Sequence, residues 1–153
     1  MSTYKVAIIM GSPNDRPKME PAAETLAGFG IEADVRVMSA HRTPAVVAEF
    51  VGSARSEGYA AIIAGAGMAA HLAGAAAAHT TLPVVGVPLS GGALNGVDAL
   101  YATVQMPKGI PVATVAVDGS VNAALLVVQM LAIADADLEA KLVEDRKARA
   151  SVS

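Results

Sequence analysis

The sequence predicts an α/β domain in which a parallel sheet is covered by helices on both faces. Three observations lead there. Five short, β-branched apolar runs alternate with longer stretches of helical spacing along the 153 residues, the pattern of strand–helix–strand units. Those runs are nearly uniformly apolar, as strands sheltered on both faces must be. The chain is 54% hydrophobic, 16% charged and only 3% aromatic, with 14 glycines. That composition suits closely packed helices on a sheet and argues against disorder.

The elements follow in order. Residues 5–10 (KVAIIM) read as the first strand, ended by Gly11 and Ser12. Residues 17–29 carry Met19, Ala22, Ala23, Leu26 and Ala27 at helical spacing, with Pro17 in the first turn and Gly28 and Gly30 closing the end. Residues 33–38 form the second strand. Residues 43–57 form the second helix, with Thr43 as N-cap and Pro44 at the first helical position. Residues 60–64 (AAIIA) are the third strand, 68–78 a helix of small residues, 82–89 the fourth strand and 93–105 a helix. Residues 112–117 are the fifth strand, 121–134 a strongly apolar helix (VNAALLVVQMLAIA) and 136–150 a helix charged on most faces.

No repeat, linker or composition break interrupts this order. One domain is expected over residues 1–153, with its core at about 4–134 and a C-terminal helix at 136–150. The 121–134 helix is apolar around much of its circumference. Deep burial or a subunit interface would explain it, and in so small a domain an oligomer is expected.

Composition also excludes function classes. Net charge is -3 and the only basic cluster is the C-terminal DRKAR, so nucleic acid is not an expected partner. No uninterrupted apolar stretch reaches the roughly 18 residues of a membrane span. The opening MSTYKVAIIMGS reads as a first strand and not as a signal peptide, so a soluble, cytoplasmic protein is expected. Without cysteine there are neither disulfides nor thiolate metal sites.

In parallel sheets, ligands bind beyond the C-terminal ends of the strands. The unusual residues fall there: Gly11-Ser12-Pro13-Asn14-Asp15, Ser39-Ala40-His41-Arg42, Gly65-Ala66-Gly67-Met68-Ala69-Ala70-His71 and Pro88-Leu89-Ser90-Gly91-Gly92. The first stretch is compatible with plain turn and cap chemistry. It contains neither a dinucleotide fingerprint nor a Walker loop. Gly-Ala-Gly permits close backbone approach to a ligand, or simply tight strand–helix packing. His71 opens a run of alanines, where a structural histidine is the default. His79 suits the negative end of its helix dipole.

His41 and Arg42 are harder to explain as a turn. An imidazole moves protons near neutral pH, and a guanidinium grips phosphate or carboxylate bidentately. A metal triad of two histidines and one carboxylate is disfavoured by the adjacent arginine. Spacing and composition thus reach a phosphorylated small molecule and acid–base chemistry.

Taken together, GSPNDRPKM, VMSAHRTP, AGAGMAAHLAG, GVPLSGGALNGVDALYATVQMPKGIPVATVAV and NAALLVVQMLA resemble the PurE family, over nearly the whole chain to about Ala134. The resemblance implies a flavodoxin-like three-layer αβα sandwich, a homo-octamer, no cofactor and no metal. It implies conversion of N5-carboxyaminoimidazole ribonucleotide (N5-CAIR) to 4-carboxy-5-aminoimidazole ribonucleotide (CAIR) in purine biosynthesis. By the same resemblance, Ser12 and Asp15 contact the nucleotide, Asp15 at the ribose hydroxyls. Arg42 binds the phosphate with help from Ser39, and His41 moves the proton at the imidazole carbon. Gly65, Ala66, Gly67 and His71 close over the base, and Leu72 walls it. Ala40, Ala69, Ala70 and Leu72 would supply an apolar lining that keeps CO2 from water. Backbone N–H groups of residues 67–70 would stabilise the carboxylate, with His71 orienting it or backing up proton transfer.

Departures from the family pattern are Pro13, Asn14, Arg16, Met68 and Ala73. Asn14 stands where serine is common and keeps its hydrogen-bonding ability. Met68 stands where glycine is frequent and narrows the loop. A second branch of the family carboxylates aminoimidazole ribonucleotide (AIR) with CO2 directly and typically has Lys after the Ala-His pair. Arg42 and the Gly-Ala-Gly…His71 pattern resemble the mutases instead. The alternatives are that AIR carboxylase and a non-catalytic flavodoxin-like module for nucleotide or FMN.

Overall fold

The structure, a computed structural model, describes residues 3–152; Met1, Ser2 and Ser153, included in the expected domain, lie outside the described residues. Five strands, β1 (Lys5–Met10), β2 (Glu32–Val37), β3 (Tyr59–Gly67), β4 (Val84–Leu89) and β5 (Ala113–Thr114), pair in parallel in the order β2-β1-β3-β4-β5. The connecting helices are α1 (Arg16–Gly28), α2 (Pro44–Ser53), α3 (Leu72–His79), α4 (Val97–Val104) and α5 (Ser120–Ala132), followed by α6 (Ala136–Ala150). This strand order is the flavodoxin-like one.

Alternation along the strands builds two separate cores. Val6, Ile8 and Met10 of β1, Ala61 and Ile63 of β3 and Val85, Val87 and Leu89 of β4 face α1, α5 and the Leu138 end of α6. Ala7, Ile9, Ile62, Ala64 and Val84 face α2 and α3 on the other side. Gly86 points to that second face, where a Cβ would stand 2.4 Å from Thr103 Cγ2 of α4 and 3.1 Å from Ala73 Cβ of α3. Both helices can lie close to the sheet there only because the strand carries no side chain.

Several boundaries differ from the sequence reading, each for a physical reason. β3 runs on to Gly67, so Gly65, Ala66 and Gly67 pair with Val87, Pro88 and Leu89 as strand and not as loop. α3 begins only at Leu72, after two tight turns closed by Ala70 N–H to Met68 O and His71 N–H to Ala69 O. α4 starts four residues late because Asn95 and Gly96 are left-handed, at φ 49° and 96°. β5 keeps two ladder residues, although Val115 N–H still donates to Gly86 O and Asp118 N–H to Pro88 O. β2 departs from the uniformly apolar pattern: it is an edge strand with Glu32 and Arg36 exposed, and charge on an edge discourages pairing with another chain.

The apolar 121–134 helix is accounted for largely within the chain. α5 lies between the sheet and α6. Val127 and Val128 are wholly buried, and Leu125, Leu126, Met130 and Leu131 pack partly buried against the same core. Only Ile133, just past the helix, is strongly exposed, at 88%. The exposed apolar stripe is elsewhere, on α4: Val97, Tyr101 and Val104, with Leu94 before the helix. No helix among the described residues is long and apolar enough to cross a membrane.

Candidate active site

The chain leaves β1 toward β2 on one side and returns to β3 on the other, so a crevice opens where the C-terminal ends of β1 and β3 diverge. A cleft of about 420 Å³ fills it. A somewhat larger groove lies between α1 and α6, away from the strand ends, and has charged helix side chains but no histidine or glycine loop around it.

The first loop enters the cleft with Ser12, whose hydroxyl accepts the Asn14 N–H at 3.2 Å and caps a single 3₁₀ turn, Pro13–Asp15. The capping reading therefore holds for Ser12, and Ser12, Asn14 and Asp15 all line the cleft. Burial pushes the Asp15 carboxyl above its ordinary value, opposed by nearby Lys18 and by the Ser12 N–H.

The second loop is shaped by Ser39. Its Oγ accepts the N–H groups of His41 (3.3 Å) and Arg42 (3.1 Å), while Thr43 Oγ1 accepts Ser39 N–H at 2.9 Å and donates to Ser39 O. Thr43 stands at the N-cap position of α2, but its hydroxyl ties the loop and bonds no helix N–H. Ser39, Ala40, His41 and Arg42 reach the cleft together. The ion pairs among the described residues are Arg16–Glu20, Arg36–Asp34, Lys147–Glu144 and Arg149–Asp145. Arg42 is in none of them, so its fork is available to a bound anion.

The third loop brings His71 across. His41 Nε2 and His71 Nδ1 are 2.6 Å apart, with ring centroids at 4.8 Å and planes at 88°. Ala66, Gly67, Met68, Ala69 and Leu72 line the cleft beside them. Two expected contacts do not. Gly65 is buried, and a Cβ there would fall 2.4 Å from Met19 Sδ, so this glycine lets α1 sit on β3. Ala70 is only 2% exposed and stands behind the wall, with its N–H already given to Met68 O. The expected row of four amide donors is accordingly shortened. Met68 adopts φ 51°, where a non-glycine residue pays about 1–2 kcal/mol.

The arrangement can hold an anion at Arg42, move a proton through the histidine pair and shelter a small apolar species against Ala40, Ala69 and Leu72. Comparison with known proteins identifies the family. Residues 5–151 match the family model described as AIR carboxylase. The chain belongs to the AIR carboxylase family. Its relatives include the N5-carboxyaminoimidazole ribonucleotide mutase of Brucella melitensis, 55% identical over 94% of this chain and 90% of that one. They also include the phosphoribosylaminoimidazole carboxylase of Saccharomyces cerevisiae, 51% identical over 90% of this chain but only 24% of that longer one. A crystal structure of PurE from Treponema denticola superimposes with a TM-score of 0.87 at 28% identity, covering 96% of this chain and 92% of that one.

Within this AIR carboxylase family member, one wall of the cleft comes from a stretch that the sequence places at a strand end but to which it assigns no role. Ser90, Gly91 and Gly92 line it, and Ser90 is held by Lys18 and Asp118. The Ser-Gly-Gly run at a strand end was the available signal. Its two charged partners are 72 and 28 positions away, which no local pattern reveals.

Proposed function

We propose that this chain is an N5-CAIR mutase of purine biosynthesis, an isomerase that moves a carboxylate from the exocyclic nitrogen of the imidazole to the adjacent ring carbon. The observation that carries the reading is the 2.6 Å contact of His41 with His71 at a cleft that also holds Arg42, in a chain with 55% identity to a protein of that name.

In the proposed reaction protonated His41 gives its proton to the carbamate nitrogen as the C–N bond breaks, releasing CO2 and the neutral amine. The ring carbon then attacks CO2, and the proton it carried passes back to His41, which restores the starting state. Nothing is oxidised or reduced. Arg42 holds the phosphate, with the Ser39 O–H as an additional donor, since its oxygen already accepts two N–H groups. Asp15 accepts from the ribose hydroxyls, and Ser12 and Asn14 border them. Ala40, Ala69 and Leu72 keep water from the CO2. His41 is the acid–base group, for which about 10²–10⁴-fold of rate is the usual contribution. His71 fixes the His41 ring and accepts or returns its proton.

The proposal includes a homo-octamer acting in the cytoplasm without cofactor or metal. The exposed apolar stripe of α4 supports assembly.

The decisive test is an assay of the purified protein with N5-CAIR, and separately with AIR plus bicarbonate. Conversion of N5-CAIR to CAIR at the higher kcat/KM is expected. Conversion of AIR plus bicarbonate alone would assign the carboxylase reaction, the second reading favoured by the Saccharomyces cerevisiae relative. Binding without turnover of either would leave a nucleotide-binding module.

A further inference from the structure

One wall of the cleft is anchored from outside it. Lys18, in the first turns of α1, donates through Nζ to Ser90 O at 2.6 Å and to Ser90 Oγ at 3.0 Å. Ser90 donates its N–H to Asp118 Oδ1 at 2.9 Å and its hydroxyl to Asp118 Oδ2 at 2.5 Å. Four hydrogen bonds, all of them to or from a charged side chain, converge on one residue at the end of β4.

That residue leads into Gly91 and Gly92, which have φ of 135° and 67° and no side chains of their own to fix them. Both line the cleft, together with Ser12, His41 and Arg42. A Cβ on Gly92 would stand 3.1 Å from Met68 Cγ, so this glycine lip also meets the turn that leads to His71. Asp118 holds a left-handed backbone at φ 60°, which few non-glycine residues adopt. Burial works against its charge, yet the Ser90 donors and Lys18 outweigh it and keep the carboxyl below its ordinary value.

We propose that Lys18 and Asp118 are positioning residues for substrate binding: they clamp Ser90 so that the Gly91-Gly92 backbone closes one side of the cleft over the ribonucleotide. This rests on the mutase reading for the identity of the ligand. Neither residue touches the reacting atoms, so their effect falls on KM and not on the chemical step.

The test uses steady-state kinetics with N5-CAIR and thermal unfolding of the full chain. Asp118→Gly removes the carboxylate while a glycine accepts φ 60° without strain, and Lys18→Met keeps the aliphatic stem. Each is expected to raise KM about tenfold and to lower kcat less than threefold. Lys18→Arg keeps a charged donor and should bring KM back to within about threefold of wild type. The double variant should raise KM by much less than the product of the singles, because both act through Ser90. A lower unfolding temperature with unchanged KM would reduce the clamp to a structural tie and overturn the proposal, as would independent, multiplying effects. A wild type that does not convert N5-CAIR sinks the mutase reading instead. Calorimetric titration with AIR then decides the clamp: a weaker Kd in both single variants supports it, and an unchanged Kd overturns it.

Discussion

His41 Nε2 and His71 Nδ1 face each other at 2.6 Å, the two rings almost perpendicular. Such a contact needs one hydrogen and one lone pair, so the two facing nitrogens hold a single proton between them. The outer nitrogen of each ring remains for substrate or water. A pair of this kind can pass a proton inward or outward without a large rearrangement. His41→Asn keeps hydrogen-bonding capacity near that of the loop but loses the titrating ring. Turnover of N5-CAIR should fall by about a hundredfold or more, while the ribonucleotide still binds. Single-turnover kinetics beside a binding titration measure both, and near-normal turnover would remove His41 from the mechanism.

Arg42 stands in the cleft without a carboxylate partner among the described ion pairs. A lysine there keeps the charge but not the planar fork that meets two phosphate oxygens at once. Arg42→Lys should therefore raise KM by about tenfold or more and change kcat at saturation much less. An unchanged KM would show that the phosphate is held elsewhere.

The place of these two residues at the cleft was legible in the sequence because a strand-end turn needs neither imidazole nor guanidinium, whereas Gly, Asn or Asp would have satisfied it. The alternation of strands and helices was legible for the same kind of reason: β1 and α6 fall on their expected residues, each bounded by strong local signals. What failed was whatever depends on contacts distant in sequence. Gly65 could face a ligand or serve strand–helix packing, and only the fold shows Met19, on a helix 46 positions away, against it. The apolar face of α5 could not declare from periodicity whether α6 or another subunit covers it. Lys18 and Asp118 look like ordinary surface charges until the fold brings both to Ser90.

Gly65 supplies a stability prediction that separates packing from binding. A Cβ would sit 2.4 Å from Met19 Sδ and 2.8 Å from its Cε, and Met19 is wholly buried. The thioether end is flexible but enclosed in the core, so it must rotate aside or push its neighbours to make room. Gly65→Ala should cost about 1–3 kcal/mol, the usual range for overpacking a core. Urea unfolding measures it. No loss of stability, with a rise in KM, would return Gly65 to the substrate site.

A second stability prediction concerns alkaline pH. Tyr59, 6% exposed, donates its hydroxyl to Asp34, which also pairs with Arg36 at 2.9 Å. Burial and the adjacent Asp34 carboxylate push the Tyr59 phenol up from 10.0 to about 12. A raised acid stabilises the fold fully below its unfolded value and loses that stabilisation as pH rises through the folded value. Tyr59→Phe should be less stable than wild type by about 1–2 kcal/mol at pH 8. Because the unfolded wild-type chain ionises first, the gap should shrink between pH 10 and about 12. Parallel urea titrations of both proteins check it, and a gap that stays constant across this window would refute the Tyr59–Asp34 account.

The last prediction concerns assembly. From its apolar pattern the 121–134 helix invites a charge such as Val128→Glu as a probe of subunit contacts, but Val128 is wholly buried in the core between the sheet and α5. A carboxylate there has no partner and must be desolvated, at a cost of several kcal/mol, comparable with the whole stability of such a domain. That variant should fail to fold, and its behaviour would say nothing about oligomers. The exposed stripe of α4 is the better probe. Val97, Tyr101 and Val104 are 49%, 63% and 44% exposed, and their spacing puts them on one helix face. A row of large apolar side chains left in water is the usual mark of a contact surface. Tyr101→Glu places a charge in that row without entering the core, so circular dichroism should match wild type. Sedimentation velocity should show the wild type as an octamer and the variant as smaller species, with activity falling alongside if neighbouring subunits complete the cleft. A wild type that is monomeric and fully active at nanomolar concentration would overturn the assembly reading.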